Sequence, residues 1–246
     1  MRNESKIIEV RNLWKKFGDF AANKDLTFDV YKGEIFGFLG ANGAGKTTAM
    51  RILCGLSRPT SGEVMVAGFD ASYQSEEIKK NIGYMSQKFS LYGDLNIYEN
   101  IRFYGGIYGM YGKKLKNRAE ELIEKLNIAS IRNQLIRDLP LGWRQKLSFA
   151  VALIHNPVIV FLDEPTGGVD PITRRQFWDM IYRASEDGIT VFVTTHYMDE
   201  AEYCDRVSIM TDGRIEALGS PMELKDKYMA QTMDDVFVKL ARNINA

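Results

Sequence analysis

The first third of the chain alternates short apolar, β-branched runs with polar turn residues. Residues 6–10, 26–30 and 34–39 read as strands, and 62–66 and 82–85 as two more. A helical run, 46–54, follows the third strand. The period changes after Gln87. Across 98–154 apolar residues recur at helical spacing, with Leu115, Leu122, Ile123 and Leu126 on one face. A buried-strand pattern returns at 158–162, bounded by Pro157 and Pro165. Helix and strand then alternate: a helix from Pro171, a strand at 190–194, a helix from Met198, and strands at 206–211 and 214–217. That order predicts an α/β fold on a largely parallel, helix-covered sheet, with 88–155 as a helical insert.

Composition narrows the function classes. A length of 246 residues suits one α/β domain with an attached subdomain. Lys+Arg and Asp+Glu both number 32, so no nucleic acid is expected as partner. The longest apolar stretch, 158–162, is far below the ~20 residues that span a bilayer, and no apolar segment of signal-peptide type follows the first residues. If the protein works at a membrane, another chain is expected to supply the membrane part. Cys54 and Cys204 lack metal-ligand spacing and read as reduced thiols.

The strongest chemical signal is Gly40-Ala41-Asn42-Gly43-Ala44-Gly45-Lys46-Thr47, which fits G-x-x-x-x-G-K-[ST] between a strand and a helix. Its glycines let backbone N–H groups turn inward around phosphate oxygens, and the helix beginning near Lys46 adds its positive end. Lys46 would reach the terminal phosphates, Thr47 would offer its hydroxyl to Mg²⁺, and Thr48 would touch phosphate. A second signal closes the strand at 158–162 with Asp163 and Glu164. Asp163 is placed to hold Mg²⁺, and Glu164 to polarise a water as general base.

Loop and acidic pair fit many P-loop ATPases. Further landmarks narrow the reading: Gln87 after the strand ending at Met85, Asp170 in Gly167-Gly168-Val169-Asp170, and His196 after a strand. With Leu139-Pro140-Leu141-Gly142-Trp143-Arg144-Gln145 upstream of the acidic strand, order and spacing resemble the ABC ATPase cassette over nearly the whole chain. The resemblance implies a P-loop NTPase (RecA-like) core with an antiparallel β subdomain and an inserted α-helical subdomain. The expected division is 1–87 and 156–222 for the core, 88–155 for the helical subdomain and 223–246 for a helical tail. It implies ATP and Mg²⁺ as ligands. By the same resemblance Phe17 stacks on adenine, Gln87 joins the Mg²⁺ shell and senses a membrane partner, Asp170 works across a dimer interface, and His196 contacts the γ-phosphate.

One motif departs from the family. Its signature loop reads L-S-G-G-Q, and here Pro140 replaces the serine and Leu141 a glycine, while Gly142 is retained. Proline offers neither hydroxyl nor N–H. A weakened shared site is expected, with Gly142 still donating at the start of a helix beginning near Arg144. Asn23-Lys24-Asp25 mimics a guanine-reading motif, but it precedes the phosphate loop instead of following it and is set aside. The segments 195–202 and 233–237 resemble the ATPase subunits of ABC-2-type exporters. The expected partners are an integral-membrane permease subunit and a second ABC ATPase, as homodimer or heterodimer. The expected location is cytoplasmic, on the inner face of the cell membrane. The competing readings are a nucleotide-gated regulatory module and a soluble ABC ATPase. The aromatic stretch Phe89, Tyr92, Tyr98, Phe103, Tyr104, Tyr108 and Tyr111 either receives a partner helix or packs its own subdomain.

Overall fold

The computed structural model describes residues 5–87 and 90–244. Two sheets and a helical layer pack around three apolar clusters. The smaller sheet is antiparallel, in the order β2-β1-β4-β5. It is formed by β1 (Lys6–Phe17), β2 (Phe20–Tyr31), β4 (Ser61–Val66) and β5 (Phe69–Asp70). β1 and β2 are each 12 residues long, well beyond their apolar cores, because the polar residues near the hairpin tip extend the ladder through irregular register. Period-2 alternation sends Leu26, Phe28 and Val30 inward.

The larger sheet runs β10-β9-β3-β8-β7-β6. Its strands are β3 (Ile35–Gly40), β6 (Ile82–Met85), β7 (Ile159–Asp163), β8 (Thr190–Thr195), β9 (Arg206–Thr211) and β10 (Arg214–Gly219). β9, β3, β8, β7 and β6 pair in parallel, and β10 closes the edge antiparallel. Every residue of β3, β7 and β8 is buried, as central strands covered on both faces require. One face meets the small sheet and α1 (Lys46–Leu53) through Phe28, Phe36, Phe38, Phe161 and Phe192, with Phe38 and Phe192 centroids 5.2 Å apart. The other face is covered by α6 (Pro171–Glu186), which buries Phe177 and Trp178, and by α7 (Pro221–Lys227) and α8 (Met233–Ile244).

The third cluster joins α3 (Ile97–Ile107), α4 (Gly112–Lys125) and α5 (Leu141–Ala152). Leu115, Leu122 and Ile123 are buried in it, as the helical spacing predicted, and Leu126 packs against it. The aromatic stretch divides: Tyr98, Tyr104 and Tyr108 pack on this cluster, whereas Tyr92, Phe103 and Tyr111 are exposed. Phe89 lies outside the described residues.

Beyond the longer β1 and β2 and the added β5, three helical elements differ from the sequence expectation. α5 starts at Leu141 and not near Arg144, because Pro140 stands as its N-cap and the N–H groups of Trp143 and Arg144 both donate to the Pro140 carbonyl. The helix expected from Met198 is a 3₁₀ turn, Met198–Tyr203, pulled tight between β8 and β9. Helix α2 (Ser75–Asn81) was not legible, since Ile78 is its one buried residue. No helix among the described residues is long and apolar enough to cross a membrane.

Candidate functional site

The carboxyl ends of the parallel strands carry the site. β3 runs into the loop at Gly40, whose φ is 151° and whose added Cβ would lie 2.4 Å from the Met210 carbonyl oxygen. Gly45 caps α1 with φ 99°, and a Cβ there would lie 2.3 Å from the Ala22 carbonyl oxygen. Only glycine fits either place. The loop backbone is braced from outside. Asn23 Nδ2 donates to the Gly45 carbonyl at 3.0 Å, and Gly213 N–H donates to the Ala44 carbonyl at 3.1 Å. Asn23, set aside in the sequence, is a buried brace of this loop. Ala41, Asn42 and Gly43 are exposed at its crest, Thr47 is exposed, and Thr48 is half-buried.

Lys46 is buried, its ammonium donating to the carbonyls of Gly40 (2.7 Å) and Ala41 (3.1 Å). It lies 3.9 Å from Glu164. Burial lowers its pKa, and the charges of Glu164 and Asp163 oppose that shift.

Asp163 ends buried β7, and the parallel register sets it beside Thr194 of β8. The Thr194 hydroxyl donates to Asp163 Oδ1 at 2.7 Å, and the Thr47 hydroxyl approaches the same oxygen at 3.4 Å. Burial raises the Asp163 pKa and the Glu164 charge adds to the rise, while the two hydroxyls and Lys46 act against it. Thr194 could have been found in the sequence only with the strand register in hand.

Glu164 turns sharply, at φ 48°, a left-handed backbone uncommon outside glycine. Its carboxylate meets partners other than the hydroxyls that hold Asp163. Gln87 Nε2 donates to Glu164 Oε2 at 2.8 Å, and His196 Nδ1 lies 3.2 Å from the same oxygen. That nitrogen is buried without an aligned hydrogen bond. The structure therefore brings Lys46, Thr47, Gln87, Asp163, Glu164 and His196 to one place.

Gly142 and Asp170 meet elsewhere. Asp170 caps α6, accepting from the N–H groups of Ile172 and Thr173, both at 3.0 Å, and from the Thr173 hydroxyl at 2.6 Å. These bonds lower its pKa. A Cβ on Gly142 would lie 2.5 Å from Thr173 Cγ2, so α5 and α6 touch at this glycine. Gly142, Trp143, Asp170 and Thr173 line a cavity of about 390 Å³. Phe17 is 57% exposed at the tip of the β1–β2 hairpin, with Lys15 Nζ 5.0 Å from its ring.

The donor set fits a magnesium nucleotide. It offers a glycine-shaped loop at a helix N-terminus, a lysine, one hydroxyl, one carboxylate and an orphaned imidazole nitrogen. Among the described residues no three His, Cys, Asp or Glu converge on a metal position. A divalent ion here would thus complete its shell with phosphate oxygens and water.

Comparison with known proteins agrees with this geometry. Residues 23–167 match the ABC transporter family. The chain is 47% identical over 239 residues to a probable multidrug ABC transporter ATP-binding protein, YbhF, of Escherichia coli K12, covering 95% of this chain and 41% of that protein. The chain thus spans about two fifths of that relative. It is 35% identical to the Nod factor export ATP-binding protein I of Cupriavidus metallidurans, covering 94% of this chain and 77% of that one. A dimeric post-hydrolysis structure of the ATP-binding cassette MJ0796 with ADP and Pi superposes with a TM-score of 0.77 at 28% identity, over 87% of this chain and 98% of that one. Phosphate loop, acidic pair and overall likeness converge on one conclusion: this chain belongs to the ABC transporter family and carries its ATP-binding cassette.

Proposed function

We propose that the chain is the ATP-hydrolysing subunit of an ABC-2-type exporter. The observation that carries this reading is the convergence of Lys46, Gln87 and His196 on the single carboxylate of Glu164. In this reading ATP lies with its phosphates in the Gly40–Thr48 loop and its adenine against Phe17. Glu164 takes the proton of the attacking water, Gln87 and His196 orient that carboxylate, and His196 donates toward the γ-phosphate. Mg²⁺, held by Thr47, Asp163 and Gln87, would neutralise charge on the phosphates. In this reading the chain divides into a core (1–87 and 156–222), a helical subdomain (88–155) and a C-terminal tail (223–246); the separate apolar cluster of α3, α4 and α5 supports the helical subdomain, while the tail shares its cluster with the core.

Two such chains, or this chain and a similar one, would enclose two nucleotides. Gly142 and Asp170 of each would face the nucleotide of the other. Pro140 leaves that site without a hydroxyl, at about 1.5–3 kcal/mol for each hydrogen bond lost to a charged group. The exposed rings of Tyr92, Phe103 and Tyr111 suit a surface that receives a helix of a membrane permease, which would hold the chain at the cytoplasmic face of the membrane. The relatives' names, multidrug transport and Nod factor export, support the exporter branch.

Pro140 also favours a second reading, a nucleotide-gated module that scarcely hydrolyses. ATP turnover of the purified chain against Glu164→Gln separates the two. The exporter reading expects wild type to turn over faster by about a hundredfold or more, as for loss of a general base. Equal rates sink it.

A further inference from the structure

Glu200 is fully buried in the 3₁₀ turn after β8 and has no part in the chemistry above. Its Oε1 faces donors from two other segments. The Thr166 hydroxyl donates to it from the turn after β7. The Trp178 indole N–H donates from α6 at 3.5 Å, and Arg174 Nε of the same helix lies 3.7 Å away. The Glu200 N–H donates to the Tyr197 carbonyl at 3.3 Å, tying Glu200 to the turn that carries His196.

Two of these partners lead back to the reactive cluster, Thr166 along the chain and Arg174 through the Tyr197 ring. Thr166 follows Glu164 by two positions, and the turn between them is closed by the Gly167 N–H to the Glu164 carbonyl at 3.2 Å. Arg174 stacks on the Tyr197 ring at 4.4 Å, and that ring is 4.2 Å from His196. Arg174 Nη1 also donates to Asp199 at 3.3 Å. Arg174 directly follows Thr173, which Asp170 holds and Gly142 touches.

We propose that Glu200 is a positioning residue. It fastens the turn bearing Glu164 to the turn bearing His196, with Thr166 and Arg174 as the two ties, and so sets the 3.2 Å approach of His196 to Glu164. A buried carboxylate is a costly way to fill a core, and an apolar side chain of the same shape would stabilise as well or better. One oxygen shared by three segments gives what apolar packing does not, a fixed registry between two loops. The inference rests on the ATPase reading for its kinetic consequence, but not for its geometric one.

The test uses tag-free full-length chain labelled with ¹⁵N-histidine. The chain has 2 histidines, so His155 is an internal control distant from the network. Thr166→Val removes the hydroxyl at constant volume, and Thr166→Ser restores it. Glu200→Gln serves as a second variant that keeps shape and an acceptor. Expected in T166V and E200Q are displaced His196 ring resonances with His155 unmoved. Turnover should fall about tenfold, as for one lost hydrogen bond to a charged group, with the KM for ATP within about twofold. T166S recovers both readouts. His196 resonances that superimpose on wild type overturn the proposal, as does a rise in KM with turnover unchanged. A wild type no faster than Glu164→Gln refutes the ATPase reading instead, and the His196 resonances then still decide whether Glu200 sets the geometry.

Discussion

Acid should loosen the joint between the helical layer and the central sheet through one histidine. His155 follows α5, and its Nε2 sits 3.0 Å from the Ile82 carbonyl oxygen on β6. Its ring stacks on Tyr108 with centroids 3.6 Å apart. The carbonyl can only accept, so Nε2 carries the proton and the buried Nδ1 is left as a lone pair without a partner. A second proton would place an N–H there with nothing to receive it. Burial accordingly pushes the His155 pKa down from 6.5 to about 4, with the Ile82 carbonyl resisting and the Arg118 charge assisting. The unfolded chain takes up its proton near pH 6.5, the folded chain only near 4. Unfolding thus binds a proton in that window, and stability falls as pH falls through it. The interval of 6.5 − 4 = 2.5 units is worth at most about 3 kcal/mol, of which about 2 kcal/mol is lost by pH 5. For a chain of this size that is roughly 4–8 °C in Tm. The assay is thermal and urea unfolding of wild type and His155→Gln from pH 7.5 to 5. Carboxylate effects common to both cancel in the difference. Wild type should lose about 2 kcal/mol relative to the variant across that range. A difference constant to about 0.5 kcal/mol, or a His155 resonance titrating near 6.5, refutes the reasoning.

Three further outcomes follow from contacts described above. Gly142→Ala forces a methyl onto Thr173 and should destabilise by about 1–3 kcal/mol while displacing the start of α5; an unchanged melting temperature would show that the α5–α6 contact yields freely. Asp163→Asn removes a buried carboxylate whose charged form the fold disfavours and keeps the acceptor for Thr194. The nucleotide-free chain should melt about 2–4 °C higher, the equivalent of ~1 kcal/mol, and lose the added stability that Mg²⁺ and ATP confer on wild type. A variant that Mg²⁺ and ATP still stabilise would remove Asp163 from the site. Phe17→Ala leaves the fold intact, because the ring is exposed, and should weaken ATP binding by about 1–2 kcal/mol in a titration. Unaltered affinity would assign adenine to another surface.

The motifs were legible because each rests on local chemistry. A glycine loop between strand and helix, or two acids ending an apolar strand, can be read within about ten residues. The α/β order was legible for the same reason, as periods of 2 and 3.6 alternate along the chain. What escaped was whatever depends on register between distant segments. Asn23 resembled a stray motif until the fold placed it under Gly45. Thr194 looked like one strand threonine among several, and Glu200 like one acid in an acidic run, Asp199-Glu200-Ala201-Glu202. Burial of Glu200 beside Thr166 and Trp178 is a tertiary fact with no periodic trace. The start of α5 escapes the sequence because Pro140 lacks the side-chain acceptor of an ordinary cap, yet its carbonyl takes the first N–H groups of the helix.

The brace on the phosphate loop has a consequence for the order in which the molecule is made. The loop ends by residue 48, yet Gly213 holds its Ala44 carbonyl and the backbone at Met210 fits against Gly40. On the ribosome the loop leaves the exit tunnel long before its supports exist. These two supports form only when the β9–β10 hairpin has been synthesised and docked. A nascent chain halted before residue 206 would carry the entire glycine motif without this part of its brace.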